Sequence, residues 1–355
     1  MQISKDLDTY NKKRILITGG SGFFGGVLID YLLEKGWNCI NIDILKSEKE
    51  HENLLNFKVD ISKINEIRDC LSKQKVDVVF HCAALLAHGK INKDDLFKTN
   101  IEGTRNLALC AREKGIKKFI YISSNCLWGN PLPYSVNEHE YPSPCEDYGV
   151  SKLGGEIVLN TFEDLNPIIF RVPTLIDEGR LGLLGILFDF IDSGKRIWVV
   201  GDGKNEYQFL YAKDLAKACF LASDYKKNGT FNLGADNVKS LRDVYEFVIK
   251  KGKSKSKVSK LPKALTLLAM RVTYKLGLSP LGPYHRRMIA ESFKFDTSKA
   301  KLELGWSPTL TNEEILLKAF EYYKKNKNDI LSRTNVSAHN TVTKAGIINL
   351  LKIIS

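Results

Sequence analysis

Along the first half of the chain, apolar residues fall into short blocks separated by stretches of helical periodicity. Residues 14–18 form a β-branched run that stops at glycine, the mark of a buried strand. Residues 23–35 carry apolar positions at helical spacing and run into Gly36, a suitable helix stop. Residues 38–44 are the next apolar run. The alternation then repeats. Strands are predicted over 56–59, 76–84, 118–123 and 167–172, and helices over 64–73, 94–114 and 146–164. Strands alternating with helices predict an α/β fold, a doubly wound parallel sheet with helices on both faces.

After Pro173 the pattern weakens. Glycine, lysine and short apolar runs occupy 174–202, a helix returns over 214–223 and a strand over 229–233. Residues 250–263 read as a basic loop, and 264–278 as an apolar helix carrying Arg271 and Lys275. That helix is expected to be a lid packed on the core; covering a lipid-like substrate is the alternative. The last residues, 335–355, begin polar and end in Ile347, Ile348, Leu350, Leu351, Ile353 and Ile354. A packed amphipathic helix is expected there, in preference to membrane or partner contact. No internal repeat is visible.

Composition narrows the class. Of 355 residues, 43% are hydrophobic and 26% charged, as in ordinary globular proteins. No leader-like N-terminal pattern is present, and no apolar run is long enough to span a bilayer; the run over 181–191 is short and contains Asp189. The seven cysteines are scattered, odd in number and without a CxxC pair, so neither a disulfide framework nor a metal site is expected. Reduced thiols in a cytoplasmic protein are the simplest reading. The net charge of +12 is compatible with a nucleic acid, a membrane surface or a phosphorylated small molecule. A solvated lysine-rich surface is the ordinary reading, and nothing resembles a nucleic-acid-binding module.

Two motifs carry chemistry. Gly19, Gly22 and Gly25 are spaced three apart, between a strand and a helix. Such a turn lets a pyrophosphate approach the backbone, and the helix N-terminus offers N–H donors. Asp43 ends the second strand, where its carboxylate can accept both ribose hydroxyls and repel a 2′-phosphate, favouring NAD over NADP; Lys46 nearby weakens that preference. Asp60 ends the third strand, within reach of an adenine amine. The second motif pairs Tyr148 with Lys152, one helical turn apart. The lysine charge is expected to lower the tyrosine pKa and so provide a general acid/base for a substrate hydroxyl. Ser123 and Ser124 end a parallel strand, where open α/β sheets place ligands. By themselves, a glycine turn and a Tyr/Lys pair are also what an ordinary strand–helix junction and a helix surface supply.

In sequence order, the chain resembles an extended short-chain dehydrogenase/reductase of the NAD-dependent epimerase/dehydratase type over roughly residues 12–325. The resemblance rests on Thr18-Gly19-Gly20-Ser21-Gly22-Phe23-Phe24-Gly25, His81-Cys82-Ala83-Ala84 and Asn100 in Asn100-Ile101-Glu102-Gly103-Thr104. It continues through Ser123-Ser124, Tyr148/Lys152, Gly201-Asp202-Gly203 with Asp214, and Leu304-Gly305-Trp306-Ser307-Pro308. It implies a Rossmann domain over 12–173 completed by parts of 202–235, a smaller C-terminal α/β substrate lobe over 174–325, and a tail over 326–355. It implies Ser124, Tyr148 and Lys152 as the catalytic triad. NAD would be held by Gly19, Gly22, Phe23, Phe24, Gly25, Asp43, Asp60, Ile61, Ala83, Ala84, Asn100, Tyr148, Lys152 and Pro173. Leu85, Asn125, Thr174, Arg180, Tyr207 and Arg286 would face the substrate.

Departures from the family pattern refine the expected activity. Members that dehydrate carry an Asp-Glu pair after the catalytic hydroxyl residue; here Asn125 and Cys126 stand there, which disfavours dehydration. Thr174 replaces an asparagine frequent in nucleotide-sugar members. Tyr207 replaces an arginine that grips the diphosphate, for which Arg180, Arg286 or Arg287 could substitute, although ordinary surface charge explains those arginines equally well. The expected function is NAD-dependent epimerisation of a sugar, nucleotide-linked, through a keto intermediate. The alternatives are a one-way dehydrogenase/reductase, as in the hydroxysteroid and dihydroflavonol branches, and a catalytically silent NAD-binding protein. A small-molecule partner is expected, with a homodimer through the helices over 94–114 and 146–164.

Overall fold

Ile15, Leu16 and Ile17 have no exposed surface, because helices cover both faces of the strand they belong to. The computed structural model describes residues 12–86, 92–129, 132–279 and 282–332; the predicted helix within 335–355 lies outside these. The strands β1 (Arg14–Thr18), β2 (Asn38–Asp43), β3 (Leu54–Lys58), β4 (Val78–His81), β5 (Phe119–Ile122) and β6 (Pro167–Arg171) belong to one sheet. β7 (Thr174–Ile176), β8 (Ile197–Val200) and β9 (Phe209–Tyr211) leave it, and β10 (Gly229–Asn232) returns to it. The order is β10-β6-β5-β4-β1-β2-β3, every pair parallel, with Ile15 opposite Cys39 and Val78. β1 and β4 are adjacent, so a crevice opens beyond the strand C-termini where the order reverses.

The helices follow the sequence pattern with one interruption. α1 (Phe23–Glu34) ends before Gly36, whose φ is 73°. α2 (Ile64–Leu71) follows β3. Residues 94–114, expected as one helix, divide into α3 (Lys93–Phe97), a π-helical turn (Lys98–Glu102) and α4 (Gly103–Glu113). α5 (Asp147–Asn160) precedes β6. On this face α2, α4 and α5 bury Ile67, Leu107 and Leu159 against Leu16 and Ile40.

Beyond β7 come α6 (Leu184–Asp192), α7 (Ala212–Ala222) and α8 (Leu241–Lys251). α7 joins α1 on the opposite sheet face, burying Leu215 and Cys219 with Leu28 and Trp37. β11 (Val258–Leu261) pairs with β8 in parallel, Val258 opposite Ile197. The basic loop predicted over 250–263 therefore contains a strand. Its lysine-rich composition masked the short alternation of Val258 and Ser259, and the ladder comes from a partner about sixty residues away. α9 (Lys263–Lys275), α10 (Pro283–Ala290), α11 (Ser298–Leu304), α12 (Asn312–Lys325) and α13 (Lys327–Ser332) complete the described chain. A separate core joins α6, α8 and α12 through Phe188, Val244 and Phe320. α9 is not the packed lid expected of it. Met270 is its one buried residue, and Leu265 and Leu268 point to solvent. Among the described residues no helix is long and apolar enough to cross a membrane.

Candidate active site

The crevice is an open cleft of about 1630 Å³. Its dinucleotide half is shaped by backbone. Gly19 has φ 74°, and a Cβ there would meet Ala83 at 2.8 Å. A Cβ on Gly25 would lie 2.1 Å from the Gly19 carbonyl oxygen, so only glycine lets α1 start this close to β1. Gly22 caps α1 without a side-chain hydrogen bond, leaving the first-turn N–H groups to a ligand. Phe23 and Phe24 line the same wall. Asp43 is held at the end of β2, its two carboxylate oxygens accepting from Ser21 N at 3.0 Å and Leu45 N at 2.9 Å. Asp60 accepts from Ser62 N at 2.9 Å and lines the cleft with Ile61, Ala83, Ala84 and Pro173.

Beneath this half runs a buried polar chain that the motifs alone do not reveal. Thr18 Oγ1 is 2.7 Å from His81 Nδ1, and His81 Nε2 is 2.9 Å from Thr104 Oγ1. Thr104 donates to the Asn100 carbonyl at 2.7 Å. Burial, reinforced by the Lys152 charge, pushes the His81 imidazole down to about 3, so it is neutral. Asn100, expected against the cofactor, does not line the cleft. The π turn aims its amide inward, where it accepts from Leu85 N at 2.7 Å and donates to Leu85 O at 3.0 Å and Ser151 Oγ at 2.9 Å. It fastens the Cys82–Leu85 wall to α5, a positioning part.

Ser124, Tyr148 and Lys152 come together where β5 ends against α5, and all three line the cleft. Ser124 Oγ accepts from Cys126 N at 3.1 Å. Lys152 Nζ lies 4.0 Å from the Tyr121 ring centroid, and burial lowers its pKa to about 7, opposed by Glu156. The expected acidification of Tyr148 by Lys152 is not what this geometry provides. Burial raises the Tyr148 hydroxyl above its usual value and Cys126 adds to that; Arg180 and a hydrogen bond with Ser124 oppose it. Desolvation also discourages Lys152 from carrying charge, and the Arg180 guanidinium, itself lowered by burial, opposes the rise at Tyr148. Ser123 Oγ is buried at the cleft wall with no partner among the described residues.

The substrate half is built from side chains on four separate segments. Asn125 donates to the Tyr207 hydroxyl at 2.7 Å, and the hydroxyls of Tyr207 and Tyr284 are 2.7 Å apart. The Tyr284 hydroxyl is 3.1 Å from Thr174 Oγ1, and its backbone N–H donates to Glu146 at 2.7 Å. Tyr284 and Glu146 line the cleft, and no local sequence motif marks either of them. Tyr207 does not face the cleft as expected. It is 2% exposed and borders an adjoining space of about 30 Å³ with Asn125, Trp128 and Arg287. Arg286 is also outside the cleft wall, whereas Leu85, Thr174 and Arg180 are on it. Arg180 donates to Leu175 O at 3.2 Å, and its Nη1 is buried with no partner among the described residues. Asn125 is committed to Tyr207, and burial pushes the Cys126 thiol up to about 12, so no acid stands directly after Ser124.

A family model described as the NAD dependent epimerase/dehydratase family matches residues 15–234, and one for GDP-mannose 4,6 dehydratase matches residues 184–319. The chain belongs to the NAD dependent epimerase/dehydratase family. It is therefore an NAD-dependent enzyme of the extended short-chain dehydrogenase/reductase type, and the cradle at Gly19 and Gly25 fits that cofactor. The chain is 37% identical over 342 residues to the uncharacterised y4nG protein of Sinorhizobium fredii, covering 96% of this chain and 85% of that one. It is 25% identical over 333 residues to a UDP-glucose 4-epimerase of Mycolicibacterium smegmatis, covering 88% and 98%. UDP-glucose 4-epimerase of Thermotoga maritima, solved with UDP-glucose, matches with a TM-score of 0.74 and 25% identity over 88% of this chain and 99% of that one. WbmG of Bordetella bronchiseptica, solved with NAD, shares the fold with a TM-score of 0.74 and 20% identity over 90% and 96%.

Proposed function

We propose that this member of the family epimerises a sugar carried on a nucleotide. The observation that carries the reading is the meeting of Ser124 and Tyr148 beside the dinucleotide half, with an amide and a neutral thiol where dehydration would need an acid. When bound, NAD supplies the acceptor and donor of hydride. Tyr148 takes the proton of the substrate hydroxyl, Ser124 holds the oxygen, and Arg180 stabilises the developing tyrosinate. The ketone so formed turns over in the cleft, and Tyr148 returns the proton when the other face is reduced, so the cycle is redox-neutral. In this reading Lys152 holds the nicotinamide ribose. With its unpaired Nη1, Arg180 also suits an anionic oxygen of the ligand in place of the missing arginine at Tyr207.

Incubation with UDP-sugars, followed by NMR of the product, tests this. An isomer with no net reduced dinucleotide supports it. Stoichiometric reduced dinucleotide would favour the second reading, a dehydrogenase/reductase, which the burial of Tyr207 away from the cleft also favours. A product lacking one water would overturn both. A homodimer through α4 and α5 is part of the proposal. Val150 and Ile157 on α5, 40% and 59% exposed and two helical turns apart, offer the apolar contact. Sedimentation of Ile157→Glu against the native chain checks it.

A further inference from the structure

The charge of this chain is concentrated in one stretch. Residues 247–290 hold eight lysines and three arginines and no aspartate or glutamate, while the whole chain is +12. Lys250, Lys251, Lys253, Lys255, Lys257 and Lys260 are exposed, as are Lys263, Arg271 and Lys275. Among the described residues, Lys263 alone of these pairs with a carboxylate, Glu291 at 3.1 Å. Elsewhere the chain balances its charges; here it leaves them uncompensated.

α9 rises from this stretch with its amphipathicity inverted. Leu265, Leu268, Val272 and Leu276 follow one another at steps of three, four and four, which places them in one row on the helix. They are 66%, 59%, 47% and 66% exposed. Single exposed leucines need no explanation, but a row at helical spacing does. Arg271 and Lys275 flank the row, each one residue from a member of it. Tyr274, Gly277, Leu278 and Ser279, at the end of this helix, form part of the cleft wall.

We propose that the exposed row of α9, with the acid-free basic stretch leading into it, docks the protein on an anionic lipid surface. Such a surface takes both features at once, leucines into the acyl boundary and lysines onto the headgroups. A nucleic acid would satisfy the cations and leave the leucines in water. A second copy meeting this face by two-fold symmetry would set like charges against like. Docked this way, the rim at Tyr274–Ser279 opens at the bilayer interface rather than into bulk water.

Co-sedimentation of the full chain with vesicles tests this, comparing phosphatidylcholine alone with phosphatidylcholine containing about one third phosphatidylglycerol. Binding to the anionic vesicles, weak binding to the neutral ones and release by added salt are expected. The combined substitutions Leu265→Gln, Leu268→Gln, Val272→Gln and Leu276→Gln keep helix propensity and should weaken that binding at least roughly tenfold with an unchanged thermal midpoint. Lys257→Glu with Lys260→Glu should weaken it by a similar factor. Absence of binding to either vesicle overturns the proposal, as does a leucine-row variant that binds like the native chain. Retention on duplex DNA without vesicle binding would also overturn it, and so would a dimer abolished by the leucine substitutions.

Discussion

The two halves of the cleft are made differently. The dinucleotide half is backbone and small residues at the ends of β1, β2 and β4, each determined by its own few neighbours in sequence. The substrate half is lined by Asn125, Thr174 and Tyr284, hydrogen-bonded together with Tyr207 behind them and drawn from segments up to 159 residues apart. The first can be kept by preserving a short motif. The second can be re-tuned by changing one hydroxyl, which alters its neighbours without touching the cofactor cradle. A family with one cofactor and many substrates gains from that separation.

Single substitutions separate the two halves. Tyr148→Phe removes the proton carrier shared by both halves, and turnover should fall about 10²–10⁴-fold with dinucleotide binding retained. Product formation and the dinucleotide retained on purification are the readouts. Gly25→Ala strikes only the first half, because its Cβ must displace the Gly19 carbonyl. We expect about 1–3 kcal/mol lower stability by thermal unfolding, with loss of bound dinucleotide. Tyr207→Phe strikes only the second. It leaves the buried Asn125 amide without its acceptor, at about 1–3 kcal/mol, while NAD affinity measured by calorimetry stays unchanged. A fall in NAD affinity in that variant would mean the halves are not separate.

Two pH dependences follow from the buried groups. The His81 pKa is depressed in the fold to about 3, so the unfolded chain binds a proton below about pH 6.5 that the native state refuses. Stability is therefore whole above pH 6.5 and lost as pH falls from there toward 3. His81→Asn should flatten the dependence of the thermal midpoint across that window. Arg180 favours the tyrosinate at Tyr148, so Arg180→Met should move the rising limb of the oxidation rate to higher pH. No displacement of the pH profile would assign the control of Tyr148 elsewhere.

What was legible in the sequence follows the same division. Hydrophobic period and glycine placement are local properties, and they determined the parallel sheet, the glycine turn at Gly19–Gly25, Asp43 at the end of β2 and the helical spacing of Tyr148 and Lys152. Tertiary structure alone decided what environment those groups meet. Burial, which no spacing encodes, raises Tyr148 and lowers Lys152, and the fold brings the charge of Arg180, distant in sequence, to oppose the rise at the tyrosine. The π turn that interrupts the helical run over 94–114 directs Asn100 away from the cleft and into the wall behind it. Tyr284 reaches Thr174 and Tyr207 only because α10 folds back over β7, a contact whose energy lies in long-range packing. The outward leucines of α9 show the same limit from the other side: periodicity identifies a face, and only the fold says what it faces.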